Sequence, residues 1–317
     1  MHPLVVCSSA YACDIGPHVF PTAKYARVLE RLVAEGWVRS VNVFDPPPAS
    51  REVLALAHTG EYLDDLEALR ETVRTVDSEM PLGREVMELF RRAAWGTCVA
   101  ARSALARRAA VHVGGGFHHA MAPRAEGFCF LNDVAIAIRW AQREGLVRRA
   151  AVVDVDVHQG NGTARIFEGD ASVFTLSLHQ ENNYPTPKAA SSLDVGLRDS
   201  TGDDEYDRAL ADALESVWRF EPELVVMVAG ADPYLDDQLG GLALTLDGLE
   251  RRDRRVLEGC ASRSIPVVVT FGGGYARQLD DTVRIHTCTC RIALGIAGVT
   301  PSASPGQESR SASASEG

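Results

Sequence analysis

The sequence has no apolar run near the roughly 18 residues that a membrane-spanning helix needs. Its first residues also lack the basic stretch and the long apolar stretch of a secretory signal peptide. The seven cysteines are an odd number, scattered from Cys7 to Cys290, which does not resemble a disulfide framework. We therefore expect a cytoplasmic protein with reduced thiols and no membrane contact.

Basic residues are also in the minority. The chain has 32 Lys and Arg against 43 Asp and Glu, which gives a net charge of −11. This balance disfavours direct nucleic-acid binding, which needs a basic surface. It weakly favours cationic partners such as lysine-rich peptides or polyamines.

No internal repeat and no linker rich in Pro, Ser and Gly divides the first 298 of the 317 residues. With 46% hydrophobic and 24% charged residues, the composition is that of a globular protein. We predict a single domain over 1–298. Residues 299–317 contain little to bury, and their composition predicts a disordered tail.

Short apolar runs alternate with amphipathic helical stretches, a pattern typical of a three-layer α/β fold with a mostly parallel sheet. The predicted strands are Ala110–Val113, Ala150–Val155, Val173–Ser177, Leu224–Ala229 and Pro266–Phe271. The predicted helices are Thr22–Glu35, Gly60–Val76, Arg84–Arg108, Asn132–Glu144, Glu205–Arg219 and Leu246–Arg263.

Polar residues and glycines follow every predicted strand. Ligands of open α/β sheets bind beyond the carboxyl ends of the strands, so these segments are expected to form one site. The segments are Gly114–His119, Asp154–Gly162, Ser177–His179, Gly230–Asp232 and Gly272–Tyr275.

One of these segments has the spacing of a metal site. Asp154, Asp156 and His158 follow one another at intervals of two residues, so on an extended chain their side chains leave the same face. Asp156 and His158, completed by Asp232 after another strand, would bind a divalent cation such as Zn²⁺, or Fe²⁺. The alternative interpretation is a solvated strand end with hydrogen-bonded carboxylates.

Two further motifs suggest catalytic groups. His118 and His119 follow three glycines and could act as general base and acid, with Asp154 and Asn161 as orienting partners. The Tyr275 hydroxyl, after a second glycine run, could stabilise an oxyanion. The alternatives are an ordinary histidine pair and a tyrosine packed for its ring.

Together these motifs resemble the zinc-dependent histone deacetylases of the arginase–deacetylase superfamily, over about residues 17 to 279. The resemblance is greatest to the class IV branch and its bacterial relatives. It implies a three-layer αβα fold around a mostly parallel sheet of about eight strands. The segments that resemble the family are Gly114–Ala120, Gly127–Asp133, Asp154–Gly162, Ser177–His179, Gly230–Asp232 and Gly273–Tyr275.

The resemblance also implies roles for individual residues. The implied zinc ligands are Asp156, His158 and Asp232. The implied catalytic residues are His118 and His119, with His119 as the main base and acid, together with Asp154, Asn161 and Tyr275. A structural K⁺ is implied at Asp154, the carbonyls of Asp156 and His158, Ser177 and Leu178. The implied walls of an acyl-lysine tunnel are Gly127 and Phe128.

Two positions depart from the family pattern. Many members have Asp where this chain has Asn161, so His119 should be less basic here. The segment His286–Cys290 interrupts the expected amphipathic closing helix. We interpret that segment as a strand or an ordinary connection, with a second metal site at His286, Cys288 and Cys290 as the alternative.

The function that the sequence implies is metal-dependent hydrolysis of an N-acyl amide, most simply Nε-acetyl-lysine of a protein. Hydrolysis of acetylpolyamines or of long-chain acyl-lysine is the first alternative. A non-catalytic acyl-lysine reader and a two-metal ureohydrolase-type enzyme are the others. Nothing in the sequence indicates the oligomeric state.

Overall fold

The computed structural model of the protein describes residues 2–302. Within that range the chain forms eight β-strands and nine α-helices. The strands are β1 (Val5–Val6), β2 (Val43–Phe44), β3 (Ala109–His112), β4 (Ala150–Asp154), β5 (Val173–Gln180), β6 (Leu193–Leu197), β7 (Leu224–Val228) and β8 (Val267–Thr270). The helices are α1 (Ala23–Ala34), α2 (Arg51–Leu54), α3 (Gly60–Glu67), α4 (Arg84–Arg107), α5 (Asp133–Arg143), α6 (Asn161–Ile166), α7 (Asp203–Phe220), α8 (Leu246–Ser262) and α9 (Leu279–Ile296).

The strands form one sheet in the order β2-β1-β3-β8-β7-β4-β5-β6, and every pairing is parallel. The four central strands are buried along their whole length, because helices cover both faces. Helices α4 and α5 pack together in one layer, and α1, α9, α8 and α7 pack side by side in the other. The predicted three-layer fold with a mostly parallel sheet of about eight strands is confirmed.

The five predicted strands are β3, β4, β5, β7 and β8, and the sequence pattern missed the other three. Strands β1 and β2 are only two residues long, too short for any periodicity. Strand β6 lies at an edge of the sheet and leaves alternate side chains exposed, so it lacks a continuous apolar run.

Helix α3 is shorter than the predicted helix Gly60–Val76, because it ends at Glu67. Its buried residue Asp65 accepts hydrogen bonds from Oγ1 of Thr72 at 2.9 Å and from Nε of Arg74 at 2.7 Å. These bonds fold the following segment back onto the helix. The segment after Glu67 is therefore a loop held to α3 by hydrogen bonds, where the sequence predicted further helical turns.

The segment His286–Cys290 lies inside helix α9, so the interpretation as a strand or connection was wrong. Thr287 Oγ1 donates to the carbonyl of Val283 at 2.7 Å, and Thr289 Oγ1 donates to Ile285 at 3.1 Å. Both hydroxyls are buried, and these bonds within the helix give them partners. Among the described residues, His286, Cys288 and Cys290 do not form a group of converging metal ligands.

The remaining expectations concern the whole chain. No helix of residues 2–302 is both long and apolar enough to cross a membrane. All seven cysteines lie in this range and none forms a disulfide. Of the predicted tail, residues 303–317 lie outside the described residues, while the amide of Ser302 donates to the carbonyl of Gly36 at 3.0 Å.

A buried carboxylate joins two helices of one layer to the loop after β3. Asp133, the first residue of α5, accepts hydrogen bonds from Thr97 Oγ1 at 2.5 Å, the Gly116 amide at 3.0 Å and the Phe117 amide at 2.8 Å. Thr97 belongs to α4, so a single side chain fixes the backbone that leads to His118.

We predict that Asp133→Ala lowers the free energy of unfolding by about 3 kcal/mol or more, because three buried donors lose their acceptor. Urea denaturation followed by circular dichroism measures the change. Asp212→Ala, an exposed substitution on α7, is the matched control and should stay within about 0.5 kcal/mol of the wild type. A loss below about 1 kcal/mol for Asp133→Ala would contradict the prediction.

Candidate active site

The loop after β3 brings the histidine pair to the carboxyl edge of the sheet. Gly116 has a φ of +81°, and a Cβ there would lie 2.4 Å from the backbone nitrogen of Gly272. Only glycine allows the loops after β3 and β8 to approach this closely. As a result, His118 and His119 lie next to the glycine loop that ends at Tyr275.

Each histidine has one orienting partner. His118 Nδ1 lies 2.6 Å from Oδ2 of Asp154, the last residue of β4. His119 Nδ1 lies 2.7 Å from Oδ1 of Asn161, the first residue of α6. The structure thus forms the two pairings that the sequence suggested, and both pairs are buried.

The two histidines differ in charge state. Burial opposes protonation of His118, but the neighbouring carboxylates of Asp154 and Asp156 outweigh it and raise its pKa to about 9. Burial lowers the pKa of His119 well below its usual value, and the adjacent His118 and His158 lower it further. These pKa shifts favour a neutral His119 beside a protonated His118.

Three predicted ligands converge at the same edge. One ligand atom each of Asp156, His158 and Asp232 can be chosen so that all three lie within 4.8 Å of one another. His158 Nδ1 lies 3.1 Å from Oδ1 of Asp156 and 3.2 Å from Oδ2 of Asp232. The latter contact lacks hydrogen-bond geometry, so Asp232 Oδ2 is buried without a hydrogen-bond partner. Two carboxylates and an imidazole are suitable ligands for a divalent cation, and the unpartnered Oδ2 of Asp232 is free to bind one.

The ligands are held by bonds from other parts of the fold. The Gly273 amide donates to Oδ2 of Asp156 at 2.7 Å, and the Val157 amide donates to Oδ1 of Asp232 at 2.9 Å. A Cβ at Gly273 would lie 2.0 Å from Oδ2 of Asp232, so a larger residue would displace that carboxylate. The glycine run after β8 therefore shapes the candidate metal site as well as presenting Tyr275.

Two buried cations, which sequence reasoning missed, support these loops. Arg252 Nη1 donates to the carbonyls of Val155 at 3.1 Å and of Gly230 at 2.6 Å, each close in sequence to a predicted ligand. Lys24 Nζ donates to the carbonyl of Gly272 at 2.8 Å. Burial lowers the pKa of Lys24 to about 8. Both residues lie on helices, where a charged side chain gives no signal of burial.

Tyr275 borders a narrow cavity of about 190 Å³. Its backbone amide donates to Oδ2 of Asp237 at 2.7 Å, a partner that sequence reasoning also missed. Burial and then the charges of Asp232 and Asp156 raise the pKa of the Tyr275 hydroxyl well above its usual value, so the hydroxyl keeps its proton. Other residues lining the cavity are His119, His158, Gly127, Phe128 and Tyr184.

Tyr184 is a further wall of this cavity that the sequence did not reveal. Its ring lies edge-on to His119, with 5.0 Å between the ring centroids. A tyrosine before a proline in a loop has no periodic neighbours, so only the fold shows its position. A larger depression of about 550 Å³, between Trp37 and Phe44, is lined by none of the predicted site residues.

The residues of the implied potassium site lie on neighbouring strands. Asp154 of β4 pairs in register with Ser177 of β5, and Leu178 follows Ser177. Ser177 Oγ also lies 2.9 Å from Nδ1 of His179. Three of the predicted residues, Asp154, Ser177 and Leu178, are therefore neighbours at the carboxyl end of β4 and in β5.

Comparisons with known proteins show the family of the chain. The sequence model of the histone deacetylase domain matches residues 18–290. The chain belongs to the histone deacetylase family. Histone deacetylase 2 of Arabidopsis thaliana is 34% identical over 84% of this chain and 73% of its own length. A probable deacetylase of Archaeoglobus fulgidus is 30% identical over 80% of this chain and 75% of its own length.

Solved structures give the same result. A crystal structure of an HDAC homologue complexed with SAHA superposes with a TM-score of 0.78 at 25% identity. The superposition covers 93% of this chain and 84% of that protein. This family membership makes deacetylation, the hydrolysis of an amide, the general chemistry of the chain.

We predict that zinc binding at pH 7 releases between one and two protons and that zinc affinity rises with pH. Burial opposes the charged imidazole, but the carboxylates of Asp156 and Asp232 raise the pKa of His158 to about 10, so the ion must displace that proton. Burial and the Asp156 charge raise the pKa of Asp232 to about 7, which adds a fraction of a second proton.

Isothermal titration in buffers of different ionisation enthalpy measures the number of protons released. Asp232→Ala, which removes one ligand, is the control and should retain no zinc by elemental analysis. Zinc affinity that does not change between pH 6 and pH 8 would contradict the prediction.

Proposed function

We propose that this deacetylase hydrolyses N-acyl amides, most simply Nε-acetyl-lysine, with one divalent cation, Zn²⁺ or alternatively Fe²⁺. The cation would be held by Asp156, His158 and Asp232. The observation that supports this most is the convergence of these ligands beside a narrow cavity that His119 and Tyr275 also line. A bound divalent cation would polarise the acyl carbonyl and lower the pKa of a water molecule.

His119 would act as the general base and then as the general acid. It is neutral near pH 7, and its Nδ1 is engaged by Asn161, so Nε2 is the nitrogen available to accept a proton from water. The same proton would then pass to the leaving amine. An alkyl amide anion is too poor a leaving group to depart unprotonated, so this second transfer is required.

Tyr275 would stabilise the oxyanion that forms on the acyl carbon. Its hydroxyl stays protonated because burial and nearby carboxylates raise its pKa, so it remains a hydrogen-bond donor. His118, whose Nδ1 lies 2.6 Å from Oδ2 of Asp154, would be a second imidazole held in place beside the base. We also propose a structural K⁺ at Asp154, Ser177, Leu178 and the carbonyls of Asp156 and His158.

The cavity supports a slender acyl-amine arm as substrate. Phe128 and Tyr184 form aromatic walls, which suit the methylene chain of an acylated lysine or an acylated polyamine. Only one group of converging metal ligands occurs in residues 2–302, which disfavours a two-metal ureohydrolase. The presence of both His119 and Tyr275 disfavours a non-catalytic reader.

We predict that Tyr275→Phe lowers kcat at least about 100-fold while zinc content and thermal stability stay at the wild-type level, because one oxyanion donor is lost. His119→Ala should be equally inactive and should still bind a hydroxamate inhibitor. Initial rates with an acetyl-lysine peptide, together with elemental analysis, test both variants. Turnover near the wild-type rate in Tyr275→Phe would refute the role of the hydroxyl.

A substrate panel separates the remaining alternatives. Acetyl-, octanoyl- and myristoyl-lysine peptides and acetylated polyamines are compared by kcat/KM with zinc and with ferrous iron, and His119→Ala serves as the control for contaminating activity. We expect the highest kcat/KM for the acetyl-lysine peptide. A preference of tenfold or more for a polyamine or a long acyl chain would assign the alternative substrate, and absence of turnover on the whole panel would reject the proposal.

A further inference from the structure

Glu126 lies directly behind the amide partner of His119, and the mechanism above gives it no role. Its Oε1 accepts a hydrogen bond from Nδ2 of Asn161 at 2.5 Å. Oδ1 of the same Asn161 lies 2.7 Å from Nδ1 of His119. The three side chains thus form a continuous series of two short bonds from the cavity toward the surface, where the Glu126 side chain is only 13% exposed.

The chemistry of the three groups fixes the direction of both bonds. A carboxylate only accepts hydrogen bonds, so Asn161 must turn its NH₂ group toward Glu126. The amide oxygen of Asn161 then faces His119 and can only accept from it. His119 must therefore carry its proton on Nδ1, which leaves Nε2 free of a proton.

An asparagine without Glu126 behind it would not determine which nitrogen of His119 carries the proton. Its oxygen and its NH₂ group exchange places by a half-turn of the amide, and either can bond to an imidazole nitrogen. With the NH₂ group facing His119, Nδ1 would become the acceptor and the proton would move to Nε2. The acceptor behind Asn161 is what removes this second arrangement.

We propose that Glu126 is a positioning residue that selects the base-competent tautomer of His119 through the orientation of Asn161. The importance of this tautomer for turnover rests on the proposed function of His119. The selection itself does not, because it is a property of the three side chains in the resting protein.

Glu126 is itself held firmly. Its backbone forms a tight turn with Cys129. The Glu126 amide donates to the carbonyl of Cys129 at 3.1 Å, and the Cys129 amide donates to the carbonyl of Glu126 at 2.9 Å. Arg124 Nη2 donates to Oε2 at 2.7 Å, and the Tyr184 hydroxyl donates to Oε1 at 3.2 Å. Oε2 is thus occupied by Arg124, and Oε1 is the atom that faces Asn161.

The test exchanges donor and acceptor between the two residues. In Glu126→Gln, the new amide can donate or accept, so both orientations of Asn161 become available. We expect kcat on an acetyl-lysine peptide to fall about tenfold while KM and zinc content stay within twofold of the wild type. In Asn161→Asp, two carboxylates meet at the same contact, and we expect a similar or larger loss of kcat.

The double variant Asn161→Asp/Glu126→Gln restores a matched pair with reversed polarity. The glutamine NH₂ group donates to the aspartate, which still accepts from Nδ1 of His119. We expect kcat to return to within about threefold of the wild type. The matched control is Glu168→Gln, which removes an exposed Arg165 pair outside the cavity and should leave kcat unchanged.

A measurement without turnover completes the test. Long-range ¹H–¹⁵N correlation of histidine-labelled protein reports the tautomer, with His119→Gln identifying the His119 signals. We expect the Nδ1-protonated form in the wild type and in the double variant, and a mixture of tautomers in Glu126→Gln.

The outcomes separate this inference from the proposed function. A wild-type tautomer and wild-type kcat in Glu126→Gln would overturn the inference, as would a double variant no better than Asn161→Asp. If the wild type hydrolyses no acyl amide but the tautomer still changes in Glu126→Gln, the inference stands and the proposed function fails.

Discussion

The constraint on which this site depends is the burial of three carboxylates at one edge of the sheet. Asp154, Asp156 and Asp232 are each almost fully shielded from water. Buried carboxylates are costly unless they are paired or coordinate a cation. Backbone amides and the imidazoles of His118 and His158 contact these carboxylates, and the Arg252 guanidinium lies behind the loops that present them. The polar groups around the site are therefore present because the buried carboxylates need hydrogen-bond donors and positive charge close to them.

The parallel sheet explains why these carboxylates lie close together. Strands β3, β4, β5, β7 and β8 all end at the same edge, and the residues that follow them must meet there. This is why the sequence could predict the convergence of Asp156, His158 and Asp232 and the pairing of each histidine with its partner, since their positions depend on strand ends. The two glycine runs were also informative, because loops from β3 and β8 approach within a distance that excludes a side chain.

Other residues could not be predicted, for physical reasons that differ. Arg252 and Lys24 are charged residues on amphipathic helices, and the usual expectation for such residues is exposure. Asp237 and Tyr184 lie in loops, where no periodicity indicates which way a side chain points. In α9, the segment His286–Cys290 interrupts the expected amphipathic pattern, but hydroxyl bonds within the helix allow its buried threonines to remain helical.

The contacts of Arg252 have a consequence for how the candidate site would take up a cation. This guanidinium ties the Val155 and Gly230 carbonyls together, so the spacing of the two ligand loops is set by the protein before any ion arrives. Binding of a cation at the candidate site would then need little rearrangement of the backbone. A rigid pair of carboxylates and one imidazole accepts several first-row ions. Which of these ions the candidate site would hold would then depend in part on their relative availability.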